Sequence, residues 1–206
     1  GTTGRHDEML AFYGEEYVLN TMIKHYPKPY VVLIDGIVMG GGVGLSVHGS
    51  HRVAGDRFLF AMPEVSIGFF PDVGATWFLP RLPGELGAYC ALTGERLNAA
   101  DGAVATIATH RVSSSRWSDL ADALCGTVPV DATLAAFAEP AGEGKLAARR
   151  GAIDRLFKGD RVEDIVAGLD ACAASGGPDA EFAKATADTI RSKSPTALKL
   201  ALAQMR

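Results

Sequence analysis

The residues able to do chemistry fall in a few short stretches. Segment 36–49 reads GIVMGGGVGLSVHG, with three consecutive glycines after an apolar run. Glycines between a strand and a helix let backbone N–H groups come close to a ligand. A phosphate-binding loop fails on the letters: Gly36 and Gly41 have the spacing, but Gly42-Val43 stand where Lys-Ser/Thr is required. A dinucleotide fingerprint fails at Leu45 or Val47, and a nucleophile elbow around Ser46 fails at His48. Two readings remain: an anion or oxyanion site made of backbone amides at a helix start, or a tight strand–helix junction without a ligand.

Glu64 follows Met62-Pro63 after an apolar strand and leads into Val65-Ser66-Ile67-Gly68. A carboxylate wedged there is desolvated, which raises its pKa and suits acid–base work. It can equally be a helix N-terminal Glu held by the dipole. Asp72 lies across a Gly/Pro loop from Glu64. Pro71-Asp72 before a helix reads as a cap, yet the loop can fold Asp72 back to face Glu64. Two carboxylates on one pocket activate water or support covalent catalysis. Ser46 and His48 do not form a couple, because i and i+2 point to different faces of a helix.

Elements must position these groups. Residues 7–26 read as a helix whose Met9, Phe12, Leu19, Ile23 and Tyr26 share a stripe with Glu16. Glu16 either snorkels at the edge of the buried face or points into a pocket. Segment 30–34 (YVVLI) reads as a parallel strand buried on both faces, ended by Asp35-Gly36. After the glycines a helix is expected over 43–47, then strands over 51–54 and 58–61. Helices follow over 72–79, 84–92 and 98–107, and an edge strand over 110–112. Trp77, Phe78, Tyr89 and Leu92 read as core. Helices over 117–124, 153–157, 162–173, 180–192 and 195–205 complete the pattern, with a flexible link at 140–144. This divides the chain into an α/β core, 1–113, and a helical region, 114–206. Lys193, Lys199 and Arg206 read as a solvated face.

Composition narrows the function. The chain has 206 residues, 48% hydrophobic and 21% charged, with a formal net charge of −4. These values suit one well-cored globular unit and argue against nucleic acid or an anionic membrane as partner. No apolar run approaches the ~20 residues of a spanning helix. Cys90, Cys125 and Cys172 lie far apart, and the five histidines form no metal-ligand spacing, so neither a disulfide framework nor a metal site is expected. The chain does not begin with Met, and it can be the middle of a larger protein.

Three stretches together carry a family likeness. KPYVVLIDGIVMGGGVGLSVHG (28–49), FAMPEVSIGFFPDVGATWFLPRLPG (60–84) and ALTGERLNAADG (91–102) resemble the crotonase, or enoyl-CoA hydratase/isomerase, superfamily. EEYVLN (15–20) and SPTALKLAL (194–202) resemble its 3-hydroxyisobutyryl-CoA hydrolase branch. The likeness is high from about 8 to 112 and thinner to 206. It implies an α/β fold, a spiral of ββα units followed by a helical C-terminal region. It also implies CoA thioester substrates, no cofactor beyond the CoA of the substrate, and trimers or hexamers. About the first third of a typical member and its last helices lie outside this sequence.

The resemblance also implies roles. The superfamily holds the thioester oxygen between two backbone N–H groups. One falls on Gly41; the other comes from an earlier loop, usually written with Ala-Gly-Gly-Asp, absent from this sequence. Hydratases carry one Glu two residues after the triple glycine and a second after the Pro. Those positions here are Gly44 and Glu64. Hydrolases of the nearest branch keep Glu64, add the acid matching Asp72, and take a pocket Glu that falls on Glu16. Hydrolysis of a short hydroxy-acyl-CoA, 3-hydroxyisobutyryl-CoA in valine catabolism, is therefore expected. The alternatives are an enoyl-CoA hydratase or isomerase and a non-catalytic CoA-binding member. The location would be cytoplasmic in a bacterium or the mitochondrial matrix in a eukaryote.

Overall fold

The computed structural model describes residues 6–206. Its framework comes from short strands, each interrupted by a turn that sends the chain from one sheet into another. β1 (Val31–Ile34) stops at Asp35-Gly36, and β2 (Ile37–Val38) continues in a second sheet. The move repeats with β3 (His51–Ala54) and β4 (Leu59–Phe60). β1, β3 and β5 (His110–Arg111) form one parallel sheet in the order β1-β3-β5, and β2 pairs with β4 in parallel.

Each ββ pair runs into helical structure. After β2 comes α2 (Gly41–Ser46), which begins two residues before the expected 43. After β4 come a single 3₁₀ turn (Glu64–Ile67), α3 (Ala75–Phe78), α4 (Leu86–Thr93) and α5 (Ala99–Val104). The result is a spiral of ββα units, as expected.

β1 corrects one expectation. Among the described residues it lies at the edge of its sheet, and Val31, Val32 and Leu33 are only half-buried although both faces are apolar. Val31 and Leu33 pack against a small cluster of Val53, Val112, Leu120 and Leu134, while Val32 and Ile34 pack against the main core. The helix α1 (His6–Lys24) corrects another. It buries only Asn20 and Ile23, and Met9, Phe12, Leu19 and the nearby Tyr26 are exposed. The stripe is real, but α1 meets α2 along the Asn20 side, and no described element covers the rest of it.

The remaining chain is helical: α6 (Trp117–Leu124), α7 (Val130–Phe137), α8 (Lys145–Leu156), α9 (Val162–Ala174), α10 (Ala180–Arg191) and α11 (Pro195–Met205). α7 was not anticipated, and α8 starts eight residues before the expected 153, because Arg149, Arg150 and Gly151 blur its apolar periodicity. These helices share the α/β part's interior. One buried cluster runs from Ile34, Val38 and Phe60 through Leu86 and Leu92 to Phe157, Leu169 and Leu202.

One side chain expected in the core lies at the surface. Trp77 is 43% exposed rather than core. Lys24 and Arg81 lie over its ring at 3.9 and 4.4 Å, so cations replace apolar neighbours. Lys199 and Arg206 are exposed, as expected of a solvated face, and are also ion-paired. Lys199 lies 2.6 Å from Glu163, and Arg206 meets Glu85 at 3.0 Å and donates to the Phe157 carbonyl.

Candidate active site

The glycine turn is shaped by backbone and by space. Gly40 has φ +52 and ψ −129, a conformation that side chains disfavour, and it sets the direction in which α2 starts. Gly42, Val43 and Gly44 donate their N–H groups to carbonyls of residues 39 and 40. Among the described residues the Gly41 N–H has no acceptor. It is an unspent donor at the surface of the turn.

α1 lies across this turn. A Cβ on Gly41 would meet Glu16 Oε1 at 2.8 Å, so the Glu16 carboxylate rests on the turn. One helical turn later, a Cβ on Gly44 would meet Asn20 Oδ1 at 2.7 Å, Asn20 Nδ2 at 2.9 Å and Val73 Cβ at 3.0 Å. No side chain fits at position 44 without moving that buried group.

Glu64 opens the 3₁₀ turn that follows β4 and is only 6% exposed. Its Oε2 is buried and has no partner among the described residues. Burial pushes its pKa up to about 7; the turn's own N–H works against this, and Asp72 adds to it. The helix-terminus reading and the desolvated-acid reading both apply, and burial wins. The back of the turn is fixed by Ser194, whose N–H donates to Val65 O at 3.1 Å just before α11.

Asp72 is not a helix cap. α3 starts at Ala75, and its cap is Gly74, with φ +86. The Asp72 side chain instead accepts a hydrogen bond from Tyr17 Oη at 2.9 Å. Burial first, and then the Asp72 charge, raises the pKa of Glu16. Asp72 thus stands in the electrostatic field of both Glu16 and Glu64. Stacked Tyr13 and Phe69 rings give α1 a second hold on the same loop.

Val73 follows with φ +46, unusual for a β-branched residue, and its carbonyl accepts from His48 Nε2 at 2.7 Å. A carbonyl only accepts, so Nε2 carries the proton. Burial lowers the pKa of His48 against the opposing effect of the bond to Val73, and Lys24 and Arg52 add to the lowering. Ser46 Oγ donates to the Gly42 carbonyl, so Ser46 and His48 form no couple.

Glu16, Gly41, Glu64 and Asp72 therefore come from four separate elements onto one region. Sequence reasoning missed Tyr17, Asn20, Val73 and the bracing role of His48. Only Asn20 carried a signal, one turn after Glu16 on the α1 face. Among the described residues no three His, Cys, Asp or Glu side chains are grouped so as to hold a metal ion.

The chain as a whole is similar to known proteins. The sequence pattern of the enoyl-CoA hydratase/isomerase family fits residues 1–206. The chain belongs to the enoyl-CoA hydratase/isomerase family. Its ββα spiral is the crotonase fold of that family. The family's mitochondrial 3-hydroxyisobutyryl-CoA hydrolase from Xenopus tropicalis is 45% identical over 215 residues, covering 98% of this chain and 54% of that protein. Small ribosomal subunit protein mS47 of Neurospora crassa is 43% identical over 218 residues, covering 96% of this chain and 42% of that protein. The crystal structure of a carnitinyl-CoA dehydratase from Mycobacterium thermoresistibile superposes with a TM-score of 0.87 at 44% identity, covering 97% of this chain and 56% of that one. The chain spans about half the length of the curated relatives it matches.

Proposed function

We propose that the protein containing this chain hydrolyses a short hydroxy-acyl-CoA thioester, 3-hydroxyisobutyryl-CoA, to the hydroxy acid and CoA. One observation carries the reading. Glu64 is buried with an unpaired oxygen and feels the charge of Asp72, while Asn20 and Val73 leave no room for a second glutamate at Gly44. A two-glutamate addition of water across a double bond has no second acid there. The identity to the Xenopus hydrolase supports the same reading.

In this mechanism the Gly41 N–H donates to the thioester oxygen as the carbonyl carbon becomes tetrahedral. Such a donor lowers the barrier by about 3–4 kcal/mol in comparable sites. Glu64 attacks that carbon to give an anhydride, or takes a proton from the water that attacks it. In either route the C–S bond breaks and the sulfur leaves with CoA. In direct attack, water supplies the second oxygen of the acid; in the anhydride route, water attacks the Glu64 carbonyl, so a Glu64 oxygen leaves with the acid and the water oxygen restores the carboxylate. Asp72, oriented by Tyr17, binds the substrate hydroxyl or assists the hydrolytic step, and Glu16 lines the pocket over Gly41. The reaction needs no metal or redox cofactor.

In this reading the site belongs to the α/β core, 1–113, and the helical region, 114–206, braces it. Trimers or hexamers are the expected assembly, and neither nucleic acid nor membrane is an expected partner. No described helix is long and apolar enough to cross a membrane. A relative named as mitochondrial supports a mitochondrial location for a eukaryotic source; the matrix and a role in valine catabolism belong to the same proposal.

Free-thiol release by the full-length protein from a panel of acyl-CoAs tests this. Release from hydroxy-acyl substrates and not from crotonyl-CoA supports hydrolysis. Hydration of crotonyl-CoA, abolished by Glu64→Gln, would instead support a hydratase, the reading favoured by the likeness to the carnitinyl-CoA dehydratase. No turnover of any substrate would support a scaffold role, the reading favoured by the ribosomal relative.

A further inference from the structure

A cavity of about 420 Å³ opens between α1 and α3, lined by Tyr17, Asn20, Thr21, His25, His48 and Trp77 among others. Most of its polar side chains are already committed. Tyr17 donates to Asp72, Thr21 Oγ1 donates to the Tyr17 carbonyl, His25 Nδ1 lies 3.0 Å from the Thr21 carbonyl, and His48 donates to Val73. Asn20 differs. It is 5% exposed, and neither Oδ1 nor Nδ2 has a partner among the described residues. Leaving a buried polar group unpaired costs about 1–3 kcal/mol, and an apolar side chain of similar volume would avoid that cost.

Position links this amide to the acids. Asn20 lies one helical turn after Glu16, is packed against Gly44 and Val73, and shares the cavity wall with the Tyr17 that holds Asp72. A carboxamide offers an acceptor and two donors, and a hydroxyl offers a donor and acceptor sites. The two groups can satisfy each other; an acyl group without the hydroxyl leaves the amide orphaned. Sites built around a hydrogen bond to a substrate OH reject the analogue lacking it far more strongly than apolar pockets reject a missing methylene.

We infer that Asn20 is a specificity-determining residue, its amide hydrogen-bonding the hydroxyl of a short hydroxy-acyl thioester whose acyl end enters the cavity between α1 and α3. The inference rests on the hydrolase reading for the identity of its ligand. Asp72 and Asn20 then approach the acyl group from two sides, and the choice of a hydroxylated substrate is made on α1.

The test compares kcat/KM for 3-hydroxyisobutyryl-CoA and isobutyryl-CoA in the full-length protein and its Asn20→Leu and Asn20→Ser variants. Asn20→Leu should reduce the preference for the hydroxylated substrate by about 10–100-fold, with the isobutyryl-CoA value little changed. Asn20→Ser, which keeps a donor and an acceptor, should retain part of the preference. An unchanged ratio, including one in which both values fall together, overturns the inference and leaves Asn20 a packing residue. Calorimetric binding of the same two thioesters to Glu64→Gln, with and without Asn20→Leu, reads the amide without turnover. Absence of CoA release by the wild type defeats the hydrolase reading alone. Equal affinities of Glu64→Gln for the two thioesters, with Asn20 intact, defeat the assignment of Asn20.

Discussion

Tyr17 donates its hydroxyl proton to Asp72 Oδ2 at 2.9 Å, joining α1 to the loop that precedes α3. Burial first, and then this bond, raise the pKa of the Tyr17 hydroxyl, so it remains a donor at any physiological pH. Because Tyr17 and Asp72 are partly open to water, the bond orients more than it stabilises. Tyr17→Phe is expected to lower kcat/KM by about 3–10-fold, the worth of one hydrogen bond to a charged acceptor after solvent discounting. A melting curve should move little. A large loss of stability with unchanged kinetics would contradict the orienting role.

Glu64 gives the molecule a pH signature. Its pKa rises from 4.5 to about 7 on folding, chiefly by burial. The native state therefore binds this proton more tightly than the unfolded chain does. Its contribution to stability is fully present below pH 4.5 and is lost as pH rises through about 7. At about 1.4 kcal/mol per unit, the loss is about 3 kcal/mol. Denaturant melts between pH 5 and 8 should show this fall, and Glu64→Gln should flatten it.

The same ionisation should govern turnover. A nucleophile or base must be deprotonated, so kcat/KM should climb with an apparent pKa of about 7. A profile already flat at pH 5.5 would speak against Glu64 in either role. Glu64→Gln should cost about 10²–10⁴ in rate. Hydrolysis in ¹⁸O water then separates the two routes: label accumulating in Glu64 over repeated turnovers marks the anhydride, and its absence marks direct attack by water.

Two glycines should respond differently to one methyl group. At Gly41 the obstacle is the end of the flexible Glu16 side chain, which can swing aside. Gly41→Ala should leave the melting temperature nearly unchanged while impairing turnover. At Gly44 the obstacles are the buried Asn20 amide and the Val73 Cβ, which cannot yield. Gly44→Ala should cost about 1–3 kcal/mol of stability, and Gly44→Glu should not create a hydratase. Circular-dichroism melts alongside thiol release check both.

Much of this was legible before coordinates. The strand 51–54 and the helices at 117–124 and 195–205 follow from apolar periodicity, and the structure gives them those bounds. Glu64 was marked by its place between apolar segments. What the letters hid was relational. An apolar stripe on α1 says that a face wants cover, not that Glu16 and Asn20 are the residues meeting α2. Pro71-Asp72 has the letters of a cap, yet Gly74 takes that position because its φ of +86 suits glycine, and because a Cβ there would come 2.5 Å from the His48 ring. α7 escaped because VDATLAAF is apolar on most sides and marks no single face.

The tie between Ser194 and Val65 has a consequence for how the site can be disturbed. The turn presenting Glu64 is latched from behind by the residue that caps α11, so its acid is only as rigid as that latch. Substitutions that unsettle the start of α11 should blunt the proposed turnover while the sheets stay intact, making a helix remote in sequence a tuning screw for Glu64.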